Sequence, residues 1–450
     1  MLQNQMIAGW LVADKRFAVD GKLAGDTAWN YGAFALTAAT GIILNFFIAA
    51  RFGIETLGVF NQIYAIYIVS SQFAVYGIHD SAQKYTAEYA DNADAQLTIA
   101  RTAVLIAAGF GVAVAATIFF ASDLIGRIAD SRPVGLGIAL AAPGLLFFAL
   151  NKVLMGVLNG GCRMQAFALA QGIRALAILC FCLAAAAATQ PGYVLGACFT
   201  FAEIILLPIL LVMVQPWRRG SLDGGAWLHK HLDFGTRALA NGFLSESYIR
   251  IDIIMLAIFV GDAEIGIYSF AAMFIEGLYQ VSVIIRTVVN PVLVGLILGG
   301  DRSALARFGR RVMAAGLAIF AAVGGCVMLV FPDLAPLFPN GLVSGAYPVL
   351  VILITGLSAY AAFIPLDFCL LQGGMPGRQS GLMTLNVMIN IGLNLGLIPI
   401  YGIEGAAIAT AISFAISSLT LNLAAWRWLN MPGGFLFAGT RIASFLFRST

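Results

Sequence analysis

The feature that most limits this chain is a recurrence of apolar segments, each long enough to span a bilayer, separated by short polar turns. They run from about 28 to 50, 56 to 80, 97 to 120, 133 to 159, 164 to 188 and 193 to 214, then from 236 to 260, 264 to 297, 308 to 331, 345 to 371, 380 to 400 and 404 to 428. A spanning helix needs ~20 predominantly apolar residues. Backbone in hydrocarbon must satisfy its own hydrogen bonds, and a helix does so within one segment. The pattern predicts an all-α polytopic membrane protein of about twelve transmembrane helices. Composition agrees: 10% of residues are charged, against ~25% in an ordinary soluble domain. The excess of 25 Lys+Arg over 22 Asp+Glu is too slight to suggest a nucleic-acid partner. Six cysteines, without a Cys-x-x-Cys pair, read as small buried hydrophobes.

Ionised residues inside these segments carry the next step. Between Gly235 and Pro291, two apolar segments joined by Gly261-Asp262-Ala263-Glu264 contain Glu246, Arg250, Asp252 and Glu276. A charge at bilayer depth costs ~3 kcal/mol or more, so such groups face partners or a water-filled cavity rather than lipid. This hairpin is expected to form one wall of a polar cavity.

Two halves follow from a repeat. Phe52-Gly53-Ile54-Glu55-Thr56-Leu57-Gly58-Val59-Phe60 aligns without a gap on Val260-Gly261-Asp262-Ala263-Glu264-Ile265-Gly266-Ile267-Tyr268, which sets Gln72 opposite Gln280. Leu158-Asn159-Gly160-Gly161 then falls opposite Leu371-Gln372-Gly373-Gly374, and Gly196-Ala197 opposite Gly405-Ala406. Three matches in the same order argue for duplication. An even number of spans in each half makes the repeats parallel, with a cavity expected between them at mid-membrane. The divisions are a polar N-terminal segment (1–27), a first six-helix half (28–214), a linker (215–235), a second six-helix half (236–428) and a tail (429–450) that reads as an interfacial helix. The N-terminal segment lacks the features of a signal peptide. Basic residues gather on one side, among them Lys15, Arg16, Lys84, Arg163, Arg218, Arg310 and Arg378, while only Arg51, Arg127 and Arg132 fall on the other. The positive-inside rule then places both termini in the cytoplasm. His229 and His231, in the linker, read as solvated loop residues rather than a metal pair.

The polar residues within spans admit two readings each, interhelical locking or ligand contact. Asn151 and Lys152 lie in the fourth helix, Arg174 in the fifth and Glu203 in the sixth. Glu246 and Arg250 can pair along one helix face. Arg286 is expected to snorkel to the interface, and Asp367 lies toward the inner third of the tenth helix. Tyr64, Gln72 and Tyr76 belong to a polar, aromatic stripe suited to sugar hydroxyls, and Asn386, Asn390 and Asn394 to an amide stripe. Asp252, Glu276, Glu203 and Asp367 are the available proton or cation sites. No phosphate-binding loop, metal-ligand set or other cofactor motif is present in the sequence, so direct use of ATP by this chain is not expected.

Two stretches carry a family resemblance. Asp252 to Tyr268 and, more specifically, Asn386 to Ser413 (NVMINIGLNLGLIPIYGIEGAAIATAIS) resemble the polysaccharide-exporter branch, the Wzx-type flippases, of the multidrug/oligosaccharidyl-lipid/polysaccharide exporter superfamily. The resemblance implies transfer of undecaprenyl-pyrophosphate-linked oligosaccharide from the inner to the outer leaflet of a bacterial inner membrane, for capsule, O-antigen or exopolysaccharide, alongside polymerase or assembly proteins. A lipid-linked sugar diphosphate needs cations and hydrogen-bond partners in a cavity. Lys152 and Arg174 are the first choices for the diphosphate, with Arg250 third. Rocking of the halves would expose the cavity to each side in turn, with proton or sodium coupling at the carboxylates. The rivals are a multidrug or cation antiporter of the same architecture, which calls for a predominantly anionic cavity, and a membrane enzyme of polysaccharide assembly. His79-Asp80 is the sole acid/base pair an enzyme would have to use.

Overall fold

The computed structural model describes residues 21–218, 224–338, 340–431 and 433–437. Expectations for the first twenty residues, for 219–223 of the linker and for the tail beyond Phe437 lie outside the described residues. In chain order the helices are α1 (Gly21–Phe52), α2 (Ile54–Val75), α3 (Ile78–Glu88), α4 (Ala93–Ile128), α5 (Arg132–Gly160), α6 (Met164–Ala187) and α7 (Ala197–Val214). There follow α8 (Gly224–Phe259), α9 (Asp262–Leu298), α10 (Arg302–Val330), α11 (Leu342–Ala361), the single turn α12 (Cys369–Gln372), α13 (Pro376–Trp428) and α14 (Gly434–Phe437). Nine helical stretches among the described residues are long and apolar enough to cross a membrane. One of these, α13, supplies two crossings, and the more polar α2 and α8 complete twelve.

Local chemistry explains where the helices begin and break. Asn92, Ser131 and Asp301 cap α4, α5 and α10 by accepting the backbone N–H three residues on. At α9 the Glu264 carboxylate reaches back to the Gly261 N–H (3.1 Å). Inside α13, Pro399 precedes Gly402, whose φ of 56° is open to glycine at no steric cost. The chain there turns into a second arm. In α5, Pro143 disturbs the helical ladder. Thr200 of α7 fills the gap, accepting from the Gly144 N–H (3.0 Å) and donating to the Leu140 carbonyl (2.7 Å). A freed backbone group in a membrane needs such a partner.

Two expected spans are broken. The segment 56–80 divides at Tyr76, in left-handed conformation (φ 50°), so α3 leaves α2 at an angle. The segment 345–371 divides after Ala361 into a 3-10 turn at Ile364–Leu366, where Pro365 forbids continuation, and then α12. Asp367 therefore sits in broken backbone rather than within a helix.

The face on which α1 begins is here termed proximal, and the opposite face, at Gly53 and Gly261, distal. At the distal face the halves meet through their repeat. A Cβ on Gly58 would fall on the Asp262 carbonyl, and a Cβ on Gly266 on the Ile54 carbonyl. The same offset separates 54 from 262 and 58 from 266, so the contact is reciprocal, as across a two-fold axis. Polar bonds brace it: Asp262 accepts from Gln62 of α2 and from Ser131 at the start of α5, both at 2.6 Å. Beside them Phe46, Phe270 and Phe338 pack with ring centroids 5.2 to 5.5 Å apart. One apolar core runs through both halves, from Leu44 in α1 to Phe414 in α13.

Candidate functional site

The second half keeps one buried carboxylate without a cation. Asp252 of α8, 8% exposed, accepts hydrogen bonds from Thr410 Oγ1 (2.6 Å), Tyr268 Oη (2.8 Å) and Asn394 Nδ2 (3.0 Å). Asn390, one turn before Asn394 on α13, donates to Thr410 and Ser413 across the hairpin arm. These donors are neutral. A buried anion with hydrogen bonds and no counter-charge is a group that takes a proton or a small cation.

Arg250 lies two residues before Asp252 on α8 and points to the boundary between the halves. Its guanidinium stacks over the Tyr64 ring of α2 at 4.6 Å and pairs with Glu276 of α9 at 2.9 Å. The expected pairing with Glu246 along α8 is thus replaced by one that crosses to α9. A ring beneath and a carboxylate beside hold the arginine against the cavity wall better than a neighbour on its own helix. Arg250, Glu276, Tyr64 and Gln280 line a cavity of about 390 Å³ between α1, α2, α6, α7, α8 and α9. Its rim on α1 includes the exposed Phe34 and Ile42. A smaller cavity of about 160 Å³ adjoins it and reaches Asp252 and Thr410.

Nearer the proximal face, a third cavity of about 270 Å³ is lined by Tyr279, Gln280, Arg286, Asp367, Gln379 and Asn386 among others. Arg286 does not snorkel. Three turns of α9 continue beyond it, and it donates to Asp367 at 2.8 and 3.0 Å with its guanidinium 4.2 Å from the Phe368 ring. Gln280 belongs to all three cavities.

The first half is arranged differently. Glu203, 3% exposed, receives Arg174 Nε at 2.6 Å and Asn151 Nδ2 at 2.7 Å, while the Arg174 guanidinium lies 5.0 Å from the Phe148 ring. Lys152 is half-buried beside this group, without an ion pair or hydrogen bond among the described residues. Its charged neighbours are Arg174, Glu246, Asp80 and Glu203. Of the stripe on α2, only Tyr64 lines the cavities described above. Gln72 bonds within its own helix, and Tyr76 stacks on Phe110 at 4.2 Å with its hydroxyl 3.3 Å from Thr236. Asn386 lines the proximal cavity and accepts from Thr420 (3.3 Å).

His231 is not a solvated loop residue. Helix α8 already begins at Gly224, and His231 is fully buried, its Nδ1 2.8 Å from Ser81 Oγ. Three of the six cysteines, Cys162, Cys180 and Cys326, are exposed rather than buried.

The sequence does not mark Gln280, Gln379, Tyr268 or Thr410 as site residues, and it presents Arg286 as an interfacial one. The repeat held a signal for Gln280, as the partner of Gln72. For Arg286 and Asp367 the signal was their opposite charges at similar expected depth. Tyr268 and Thr410 stand within the stretches that carry the family resemblance and carry no charge to mark them.

Solved structures share this fold. An inward-facing multidrug resistance MATE family transporter of the MOP superfamily superposes with a TM-score of 0.73 at 14% identity, over 92% of this chain and 96% of that one. The lipid II flippase MurJ, in an inward closed conformation, gives 0.72 at 15% identity over 87% and 86% of the two chains. A MOP superfamily transporter from Pyrococcus furiosus gives 0.56 at 16% identity over 92% and 94%. No curated protein matches the sequence significantly. Residues 23–296, more than half of the chain, match the family described as polysaccharide biosynthesis protein, and the chain belongs to that family.

Proposed function

We propose that this protein is a flippase that moves undecaprenyl-pyrophosphate-linked oligosaccharide from the inner to the outer leaflet of a bacterial plasma membrane, with the proximal face and both termini in the cytoplasm. The observation that carries the reading, within a polysaccharide biosynthesis family, is the inter-half cavity in which Arg250 is held over Tyr64. A guanidinium fork fits phosphate oxygens. Glu276, 40% exposed at its side chain, occupies the fork until a diphosphate displaces it. Lys152, with no ion-pair partner among the described residues, is the second cation, whereas Arg174, already engaged by Glu203, locks helices rather than holding the diphosphate. Tyr64 and Asn386 serve the sugars, with Gln72 and Tyr76 next to them on α2 and Asn151 and Asn390 as supports. The exposed α1 rim lets the lipid tail stay in the bilayer while the head enters. Asp252 is the proton or sodium site, because it alone among Asp252, Glu276, Glu203 and Asp367 has no arginine on it.

The test is polymer export in a strain lacking the protein, complemented with wild type, Arg250→Ala or Lys152→Ala at equal membrane abundance. Wild type alone restores export, and each variant leaves lipid-linked oligosaccharide in the inner leaflet. Normal polymer without the protein, with altered sensitivity to cationic drugs, would overturn the flippase in favour of a multidrug antiporter.

A further inference from the structure

The proximal cavity of the second half has a chemistry of its own. Its one cation, Arg286, is neutralised in place by Asp367, and the pair lies buried at 15% and 8% side-chain exposure. A diphosphate placed there would meet the Asp367 carboxylate as well as the guanidinium, and the repulsion offsets the attraction. A neutral group with hydroxyls meets no such conflict. It finds fixed donors on Arg286 and fixed acceptors on Asp367, and each hydroxyl both donates and accepts.

Gln379 supplies an independent observation. Its Nε2 donates to the Asp367 carbonyl at 2.9 Å, which orients the amide, and leaves Oε1 buried with no hydrogen-bond partner among the described residues. The residue is 7% exposed and lines the cavity. A buried acceptor without a donor is costly, and native proteins keep one where something else supplies the donor. Asn386, seven residues on, falls on the same face of α13 and adds a second amide to the same wall. The rings of Tyr279 and Phe368 give the apolar surface that a pyranose face needs.

We propose that this cavity is a subsite for a sugar residue of the cargo, separate from the Arg250 site that takes its diphosphate. The proposal rests on the flippase reading and adds where the oligosaccharide lies. The two sites are connected, since Gln280 lines both. Ten residues of α9 separate Glu276 from Arg286, a rise of ~15 Å. A short oligosaccharide extending from the diphosphate spans that length toward the proximal face. The subsite thereby reads sugar identity, while the central arginine reads only the diphosphate common to all such lipids.

The experiment measures lipid binding to the full-length protein in phospholipid nanodiscs by native mass spectrometry. Two probes are compared: the lipid-linked oligosaccharide pool extracted from cells lacking the protein, and undecaprenyl pyrophosphate without sugar. Gln379→Leu and Asn386→Leu each weaken binding of the glycolipid by about tenfold and leave undecaprenyl pyrophosphate within about twofold of wild type. Arg250→Ala weakens both. Retained binding of the bare lipid also shows that each variant is folded. Equal loss of both probes in the Gln379 and Asn386 variants, or unchanged glycolipid binding, or a wild type that holds both probes equally tightly, overturns the subsite and leaves the flippase standing. A wild type that binds neither probe overturns the flippase reading and the subsite with it.

Discussion

Glu203 in the first half and Asp252 in the second are both buried carboxylates in membrane helices, and they are satisfied in opposite ways. Glu203 is met by a guanidinium and an amide, so its charge is cancelled by a partner that cannot leave without exposing itself. Asp252 is met by a phenol, a hydroxyl and an amide, so its charge is solvated but not cancelled. The repeated scaffold is not identical on the two sides, since α2 breaks at Tyr76 where its counterpart α9 runs on. Their polar content differs as well: the carboxylate of the first half is paired with an arginine, and that of the second is met by neutral donors alone. The charged residues that line the three cavities, Arg250, Asp252, Glu276, Arg286 and Asp367, all belong to the second half, while the first half contributes neutral ones such as Asn61 and Tyr64, and Arg174 lines none of them.

The reciprocal glycine contact is where the two halves are still equivalent, and a single change there has the largest effect on export. In Gly266→Val the added side chain collides with the Ile54 carbonyl of α2, backbone that has no rotamer to yield. The distal face then fails to close, and export falls to the level of cells without the protein. The measurement is labelling of a single cysteine introduced at Gln280, in a background without the six native cysteines, by a membrane-impermeant thiol reagent added outside. Labelling rises sharply in Gly266→Val. Unchanged labelling would show that the contact is not the distal seal.

The next two changes set the halves against each other directly. Glu203→Leu strands Arg174 in the membrane interior, and removing one partner of a buried pair costs ~3–5 kcal/mol. The protein is expected to be scarce in the membrane, and Arg174→Leu added to Glu203→Leu restores abundance and most of the export. A double variant that is abundant but does not export would break the comparison, because Arg174 would then be needed for cargo and not only for locking. Asp252→Asn keeps the volume and most of the bonds, so the unfolding temperature stays close to wild type. Export drops about tenfold or more, and the residual rate loses its dependence on a proton or sodium gradient. A variant that retains the gradient dependence would move the coupling site elsewhere.

These outcomes also mark what is legible without coordinates. Segment length and apolarity predict the helices, because a bilayer imposes both, and the Phe52 and Val260 stretches predict the repeat that meets as Gly58 on Gly266. Asp252 stands out because a charge in an apolar run is costly wherever it lies. Pairing is harder to read. Glu246 and Arg250 are neighbours along a helix, yet Arg250 turns to Glu276, since which carboxylate is nearer depends on how α8 and α9 pack. Arg286 looks like an interfacial residue because the three helical turns beyond it are also apolar and give no sign of where the membrane ends. Gln379 is invisible as a site residue: an amide near a helix start is ordinary until the broken backbone at Asp367 brings a carbonyl to one end of it and leaves the other bare.

The smallest effect at neutral pH concerns neither cavity but the junction between the halves. His231 of α8 is buried against α3, bonded to Ser81 and packed beside the rings of Tyr85 and Trp227. Burial pulls its pKa down from 6.5 to about 4, with the Ile99 carbonyl opposing the shift in part. The sign follows from the two states. Above pH 6.5 the imidazole is neutral whether the chain is folded or not, and stability is at its full value. As the pH falls from 6.5 toward 4, the unfolded chain takes up a proton that the folded chain refuses, and stability declines by up to ~3 kcal/mol. Export at neutral pH is therefore unchanged in His231→Phe, which keeps the ring but cannot charge. The unfolding temperature of the wild type in detergent drops across that window more steeply than that of the variant. Parallel curves would mean that His231 is protonated in the folded protein, and that the junction of α3 and α8 admits water at its centre.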